Sequence, residues 1–475
     1  MITDLFYSLF KSENVVIAEA KNNFPLFDEY NDQRNKKNIS AVCHAPSTNM
    51  YFSQTGEVKV CCHNSEFNAG KYPEQSLKEI WNSQSVKLMR QDMIKYKLGK
   101  GCEVCSADIN AKHFNEVRAK HFDHILSHPH YPTQMEFLLT NTCNLECVMC
   151  KGEFSSSIRK NVEKLPPIQN VYDDKFIEQL EEFIPYLHET RFSGSGEAFL
   201  IDANYKIWEK IIALNPNCKI MVQTNGTLLN NRVKDILSKG NFHIGVSLDS
   251  LKKEVFEEIR PNSKFERVLE NIYFFNEYCQ KYKRRFNIST CVMRQNWTEL
   301  PDFVNFSNKL NAVQTFHKVW FPRKYALSNL ESKDLEQIFD HVSSFDFPTK
   351  TELEKLNRNH YKYFQDVVKE WLIESKEIEG KKMSLESKDV DELKSIVFQR
   401  IKLHLFENST NSGEKIDKDY HKIIERIEQL NEVLKEDSLK KKVLVEMCKV
   451  EIKTVIEAVE KNEVKQLYVL VSSIL

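Results

Sequence analysis

Three thiols stand at intervals of four and three residues in "CNLECVMC", residues 143–150. A tetrahedral zinc site, or an iron–sulfur cluster closed by protein alone, takes four ligands. No further Cys or His follows Cys150 within the next dozen residues. Cys143, Cys147 and Cys150 would therefore hold three irons of a [4Fe–4S] cluster and leave the fourth iron open to a ligand from outside the chain.

A second set lies upstream. "CHAPSTNMYFSQTGEVKVCC" begins with Cys43 and ends with Cys61 and Cys62, and "CEVC" adds Cys102 and Cys105. Cys43, Cys61, Cys102 and Cys105 can close one cluster completely, or one zinc ribbon, because four thiolates alone do not choose between the two metals. Cys62 is either an alternative to Cys61 or a packing residue. Cys218, Cys279, Cys291 and Cys448 stand singly and read as buried fillers. His121, His124, His128 and His130 in "KHFDHILSHPHY" have no ligand-spaced partner and read as a solvated linker.

The elements that must position these residues follow from periodicity. Short apolar strands are expected at "MEFLLT" (135–140), "TRFSG" (190–194), "KIMVQT" (219–224), "HIGVSL" (243–248), "NISTCVM" (287–293) and "FHKVWF" (316–321). Amphipathic helical stretches such as "DKFIEQLEEFIPYL" and "FERVLENIYFFNEYCQKY" alternate with them. Such βα repeats imply a parallel sheet with functional groups at the C-terminal strand ends, here a partial (β/α)6 TIM-type barrel over 130–345. Upstream, residues 1–40 read as a polar, loosely ordered lead-in, and 41–125 as a small cysteine-bounded module. That module holds a helical pattern through Leu77, Ile80, Trp81, Leu88 and Met89. Residues 346–475 read as a helical C-terminal region, with "ENSTNSGEK" as a loop.

Bulk properties set the class. Across 475 residues, 41% hydrophobic and 28% charged content with a net charge of -1 describe a globular protein without electrostatic bias toward nucleic acid or membrane. No apolar run approaches the roughly 20 residues that span a bilayer. The N-terminus does not read as a signal peptide. A cytoplasmic setting, where thiols stay reduced, is expected, and it favours metal ligands over disulfides for the 12 cysteines.

A CxxxCxxC loop after the first strand of a βα barrel resembles the radical S-adenosylmethionine (SAM) superfamily. The resemblance extends to "FSGSGEAFL", where Gly194, Ser195, Gly196 and Glu197 match the family's Gly-Gly-Glu type motif with Ala198 in place of a common proline. It continues through "QTNGTLL" with Asn225, "VSLDS" with Ser247 and Asp249, and "FEEIRPNSKF" with Arg260. It implies that SAM chelates the open iron, that the Gly–Glu segment takes its ammonium group, and that Arg260 takes its carboxylate. Ser247 and Asp249 become ribose or substrate contacts. The residues alone leave a second reading for Arg260, a surface ion pair with a helix glutamate.

The Cys43, Gly56, Cys61 pattern closed by Cys102 and Cys105 is similar to SPASM and twitch auxiliary modules. Here it precedes the barrel, whereas in most relatives it follows, and its cysteines suffice for one auxiliary [4Fe–4S] cluster. The resemblance thus implies a radical SAM oxidoreductase with two clusters, served by an external electron donor of the flavodoxin or ferredoxin type. Its substrate would be a peptide undergoing oxidative modification, or else a sugar or other small metabolite. The rival from another class is a non-catalytic zinc or electron-transfer protein. No residue of the sequence identifies itself as acting directly on substrate.

Overall fold

The computed structural model describes residues 24–34, 39–64, 67–99, 101–125, 127–408, 413–449, 452–464 and 466–467. It holds two compact units, one from Val15 to Lys369 and the other containing Glu370–Leu475. All the cysteines of the two sets lie in the first.

Nine strands form one sheet in the order β3-β2-β1-β4-β5-β6-β7-β8-β9. The six parallel strands of the partial barrel are β4 (Gln134–Phe137), β5 (Glu189–Phe192), β6 (Lys219–Thr224), β7 (Phe242–Ser247), β8 (Phe286–Val292) and β9 (Val313–Lys318). Each falls within a few residues of its expected place. The sheet does not stop at β4, however. β1 (Asn49–Phe52) pairs in parallel with β4 from Asn49↔Gln134 to Phe52↔Phe137, and β2 (Glu57–Lys59) and β3 (Gly70–Lys71) follow antiparallel. The hairpin of the cysteine module is thus an extension of the barrel wall.

Strand alternation gives this wall two faces. Phe52, Phe137, Phe192, Val222 and Ile244 stand in register on one face and are buried beneath the helices. There Phe137 stacks on Phe192 at 4.9 Å, and Trp208 of helix Asp202–Leu214 meets Phe192 edge-on at 5.3 Å. The opposite face lines the lumen with polar side chains. Gln223 donates to Ser247 at 2.8 Å, Asn287 to Ser289 at 3.1 Å, and Ser289 lies 3.1 Å from Thr315.

Three local expectations change. The helical pattern of the module breaks at Asn82–Ser83, because Ser83 caps the second helix through the Val86 N–H, giving Leu77–Trp81 and Gln84–Ile94. The helix begun at Asp174 ends at Leu180, and Pro185 sits in a separate 3-10 turn, Ile184–Tyr186. Part of the supposed lead-in is a helix, Phe24–Asp32, with Tyr30 wholly buried. Just after it, Arg34 reaches Asp123 through a buried 2.9 Å bond. Residues 1–23 and 35–38 lie outside the described residues, as does the centre of the expected loop, 409–412.

The second unit contains helices Val390–Asn408, Gly413–Val433, Asp437–Lys449 and Ile452–Lys461. They share a core that includes Leu393, Val397, Ile401, Ile423 and Ile427. Among the described residues no helix is long and apolar enough to cross a membrane.

Candidate functional site

The loop between β4 and helix Ser156–Asn161 carries the three spaced thiols at the C-terminal strand ends. Ser155 fixes its exit by capping that helix at the Ile158 N–H, 3.3 Å, while donating to the Leu145 carbonyl at 2.7 Å. Ser156 Oγ takes the Cys143 N–H at 3.1 Å, and the Cys150 N–H donates to the Cys147 carbonyl at 2.9 Å. Val148 then donates to Ile259 at 2.9 Å, tying the loop to the segment that ends in Arg260.

Arg260 is buried, with Nε 2.7 Å from Asp249 Oδ2 and Nη1 3.7 Å from Cys147 Sγ. Burial works against its charge, but Asp249 and then Cys147 outweigh it and hold the guanidinium above its ordinary value. The surface pair with a helix glutamate is therefore not what forms. Asp249 is fully buried and also takes the Cys291 N–H at 2.8 Å. Burial pushes the thiols of all three spaced cysteines up, Cys147 to about 12. Thiols so placed ionise when a cation compensates them, which is the condition a metal cluster meets.

Asn225 Nδ2 lies 2.9 Å from Asn144 Oδ1 and 4.0 Å from Cys143 Sγ, beside the loop. Glu197 sits behind it. Its Oε1 accepts from Thr224 Oγ1 at 2.6 Å and the Phe199 N–H at 3.2 Å, and its Oε2 accepts from the Asn225 N–H at 2.6 Å. Burial raises this carboxyl and those donors oppose the rise. The chain itself therefore uses both of its oxygens. Gly196 has φ +65°, and a Cβ there would stand 2.7 Å from the Thr142 carbonyl. Gly194 likewise has φ +92°. Ser195 donates to Thr140 O at 3.1 Å and accepts from Gln54, a contact with the β1–β2 turn that sequence reading missed. Ser247 stays on the lumen wall with Gln223, apart from the loop.

Cys291 is half-buried rather than fully buried in β8, directly across from His317 in β9 on the lumen face, and it packs on the cluster of Ile259, Met293 and Val319 that Val148 and Met149 of the loop also join. Strand alternation through Asn287, Ser289 and Cys291 is the signal that would have found it. Cys218 and Cys279 are buried as expected.

Cys43, Cys61, Cys102 and Cys105 line one small cavity together with Ala45, Val60, Phe122 and other mostly apolar residues. All four are free thiols pushed up by burial, Cys102 to about 12. The Ala45 N–H points at Cys43 Sγ, 3.4 Å. Among the described residues, no three His, Cys, Asp or Glu side chains converge on the point a single metal ion would occupy. Cys62 is exposed, and it faces Arg118, Glu136 and Arg191 on the lumen side rather than the cavity.

The family described as the Radical SAM superfamily matches residues 137–307, and an iron–sulfur cluster-binding domain, SPASM, matches residues 43–106. Together these domains imply SAM and [4Fe–4S] clusters. Among curated proteins, a GTP 3',8-cyclase of Clostridium perfringens (strain SM101 / Type A) is 26% identical over 190 residues, 38% of this chain and 54% of that one. A probable GTP 3',8-cyclase of Methanocella arvoryzae is 31% identical over 144 residues, 30% and 42% of the two chains. The chain spans about half the length of the curated relatives it matches. Among solved structures, anSMEcpe with bound AdoMet is 22% identical with a TM-score of 0.34, covering 45% of this chain and 57% of that one. Streptococcus suis SuiB bound to precursor peptide SuiA is 13% identical with a TM-score of 0.32, covering 56% and 61%.

Proposed function

From a chain that carries a radical SAM domain beside a SPASM iron–sulfur domain, we propose an enzyme that reductively cleaves S-adenosylmethionine and removes a hydrogen atom from its substrate. When bound, the open-iron cluster and SAM supply the electron and the 5'-deoxyadenosyl radical. One juxtaposition carries the reading: Cys143, Cys147 and Cys150 on a single loop, with the Arg260 guanidinium 3.7 Å from Cys147 and locked by Asp249, above a polar lumen.

The chain's own residues have distinct tasks. The three thiolates hold the cluster. Asp249 occupies the Nε edge of Arg260, so the Nη side is turned toward the loop, where a carboxylate of SAM would lie. Asn225 stands beside Cys143, and Gly194 and Gly196 let backbone approach a ligand closely. Met149, Val148 and Met293 form an apolar collar near the triad that excludes water from a radical. Cys43, Cys61, Cys102 and Cys105 hold an auxiliary cluster, and an external flavodoxin- or ferredoxin-type protein delivers electrons.

The substrate we assign is a peptide undergoing oxidative modification. Trp320 and Phe321, 55% and 52% exposed just past β9, give an apolar lip where a substrate longer than the lumen continues. The second reading, a sugar or other small metabolite, is favoured by the curated relatives, which are named for a reaction on GTP.

The test is anaerobic reconstitution, counting iron and acid-labile sulfide and assaying 5'-deoxyadenosine after dithionite and SAM. About eight irons with deoxyadenosine are expected. Cys147→Ala should abolish cleavage, and Cys61→Ala should lose one cluster's iron while Cys62→Ala keeps it. Zinc without cleavage would refute the proposal.

A further inference from the structure

The lower end of the lumen carries a group the proposed chemistry does not use. Across the sheet, Tyr51, Glu136, Arg191, Met221 and His243 stand side by side in register, all facing inward. Arg285 follows, its N–H donating to His243 Nδ1 at 2.9 Å. The 3-10 turn Arg118–Phe122 comes against this row from the cysteine module and brings Arg118 and His121. Three guanidiniums thus meet two carboxylates, Glu136 and Glu189.

The pairing is unequal. Arg191 turns its Nε and Nη2 to Glu189 Oε1, each at 2.7 Å. Glu136 gives one oxygen to Asn49 at 2.8 Å and leaves Arg118 only a loose 3.7 Å contact. The second contact of Arg118 is with His121 Nδ1 at 3.4 Å, and its buried Nε has no hydrogen-bond partner among the described residues. A buried donor without an acceptor costs the desolvation of that group, so the arrangement is completed by something the chain does not provide. His121 registers the same excess: desolvation of its ring, then Arg118 and Arg191, push it down to about 4.

We propose that this floor is an anion subsite, in which the Arg118 fork, with Arg285 beside the row, receives the carboxylate or phosphate of the substrate. The inference rests on the reading that substrate occupies the lumen beneath the triad loop. His243 and Ser247 mark the lower and upper ends of β7, four residues apart, so at about 3.3 Å per residue the β7 end of the row lies ~13 Å below the rim, while Glu136, which Arg118 meets, stands one residue from the end of β4. An extended substrate with its reactive C–H at one end and its charge at the other fits that span. Carboxylate and phosphate each offer a guanidinium two acceptor oxygens at once.

The rival role for Arg118 is to neutralise the auxiliary thiolates, since Cys61 and Cys105 also lie near it. Calorimetric titration of reconstituted, SAM-bound protein with pyrophosphate and with glutarate separates the two, with deoxyadenosine and iron measured on the same samples. One probe should bind at one site per chain, and Arg118→Gln should weaken it at least about tenfold (1.4 kcal/mol). Arg118→Lys, which keeps a point charge, should weaken it less. Arg285→Gln, at an exposed position, repeats the test without disturbing the module. Preference for pyrophosphate assigns a phosphorylated small molecule, and preference for glutarate a carboxylate such as that of an acidic peptide. Binding of neither probe, unchanged binding in Arg118→Gln and Arg285→Gln, or loss of iron alone would overturn the subsite. Absence of deoxyadenosine in the unmodified protein would instead remove the radical chemistry beneath it.

Discussion

Replacing Asp249 with Asn should unfold the barrel earlier and disable it at once. Asp249 has no exposed side-chain surface and Arg260 only 8%, so solvent does little to screen the pair or to rescue a lone guanidinium. The substitution keeps the volume and leaves an acceptor for the Cys291 N–H, but it turns an amide toward Arg260 Nε, donor against donor. Removing one partner of such a buried pair costs about 3–5 kcal/mol. At about 2 °C per kcal/mol for a unit of this size, the melting midpoint should fall by roughly 6–10 °C. Anaerobic thermal unfolding followed by circular dichroism measures that shift, and deoxyadenosine formation should fall with it as Arg260 leaves the loop. The double variant Asp249→Leu, Arg260→Met should regain only part of the stability, because the apolar pair carries no desolvation cost but leaves the Cys291 N–H without its acceptor, while cleavage stays lost. A midpoint within about 1 °C of wild type for Asp249→Asn would mean that the pair does not position Arg260.

Gly196→Ala should test how tightly the glycine segment supports the triad loop. A Cβ would lie 2.7 Å from Thr142 O and 3.0 Å from Thr140 O at a φ of +65°, so about 1–3 kcal/mol of strain is expected, seen as a lower urea midpoint. The displaced loop should slow deoxyadenosine formation by about 10–100-fold, and an unaltered rate would count against this support. His243 predicts a pH effect. Burial, then Arg284 and Lys219, hold it at about 4, below its ordinary 6.5, and its Nδ1 must stay unprotonated to accept from Arg285. A depressed folded value gives stability that is present above about 6.5 and lost as pH falls toward about 4. The urea midpoints of wild type and His243→Gln should therefore lie closer at pH 5 than at pH 7, and a gap independent of pH would refute the assignment.

The chemistry-bearing residues were legible because their signals are local. CxxxCxxC is one loop, Gly194–Glu197 one turn, and βα alternation gives each parallel strand its place within a few residues. Hidden from the sequence were contacts whose partners lie far apart in it. Arg260 lies only 11 residues from Asp249, but its approach to Cys147, 113 residues away, depends on how the turn after β7 folds back on the loop after β4. Cys291 reads as a filler because it stands singly; alternation puts it on the face of Asn287 and Ser289, but that this face lines the lumen is fixed only once β8 is aligned with β7 and β9. The choice between Cys61 and Cys62 turns on which of two neighbours points into a cavity that also requires Cys102 and Cys105.

The same limit explains how an auxiliary module can precede the barrel. A partial barrel is an open sheet with two free edges, and a module that follows the last strand meets one of them. A preceding module meets the other, and here it does so by pairing: β1 adds to β4 in parallel register, satisfying a row of edge N–H and C=O groups that would otherwise be open. The module then has to reach the far side. Glu116, just beyond the helix Glu103–Asn110 that bears Cys105, pairs with Lys318 at the end of β9 at 2.7 Å, so this stretch spans the opening between the first and last barrel strands. Arg118 follows two residues on and meets Glu136 of β4 at 3.7 Å on the lumen side. Inverting the order of the two domains along the chain thus brings an arginine-bearing floor beneath the site as a geometric consequence of closing the sheet from its first edge.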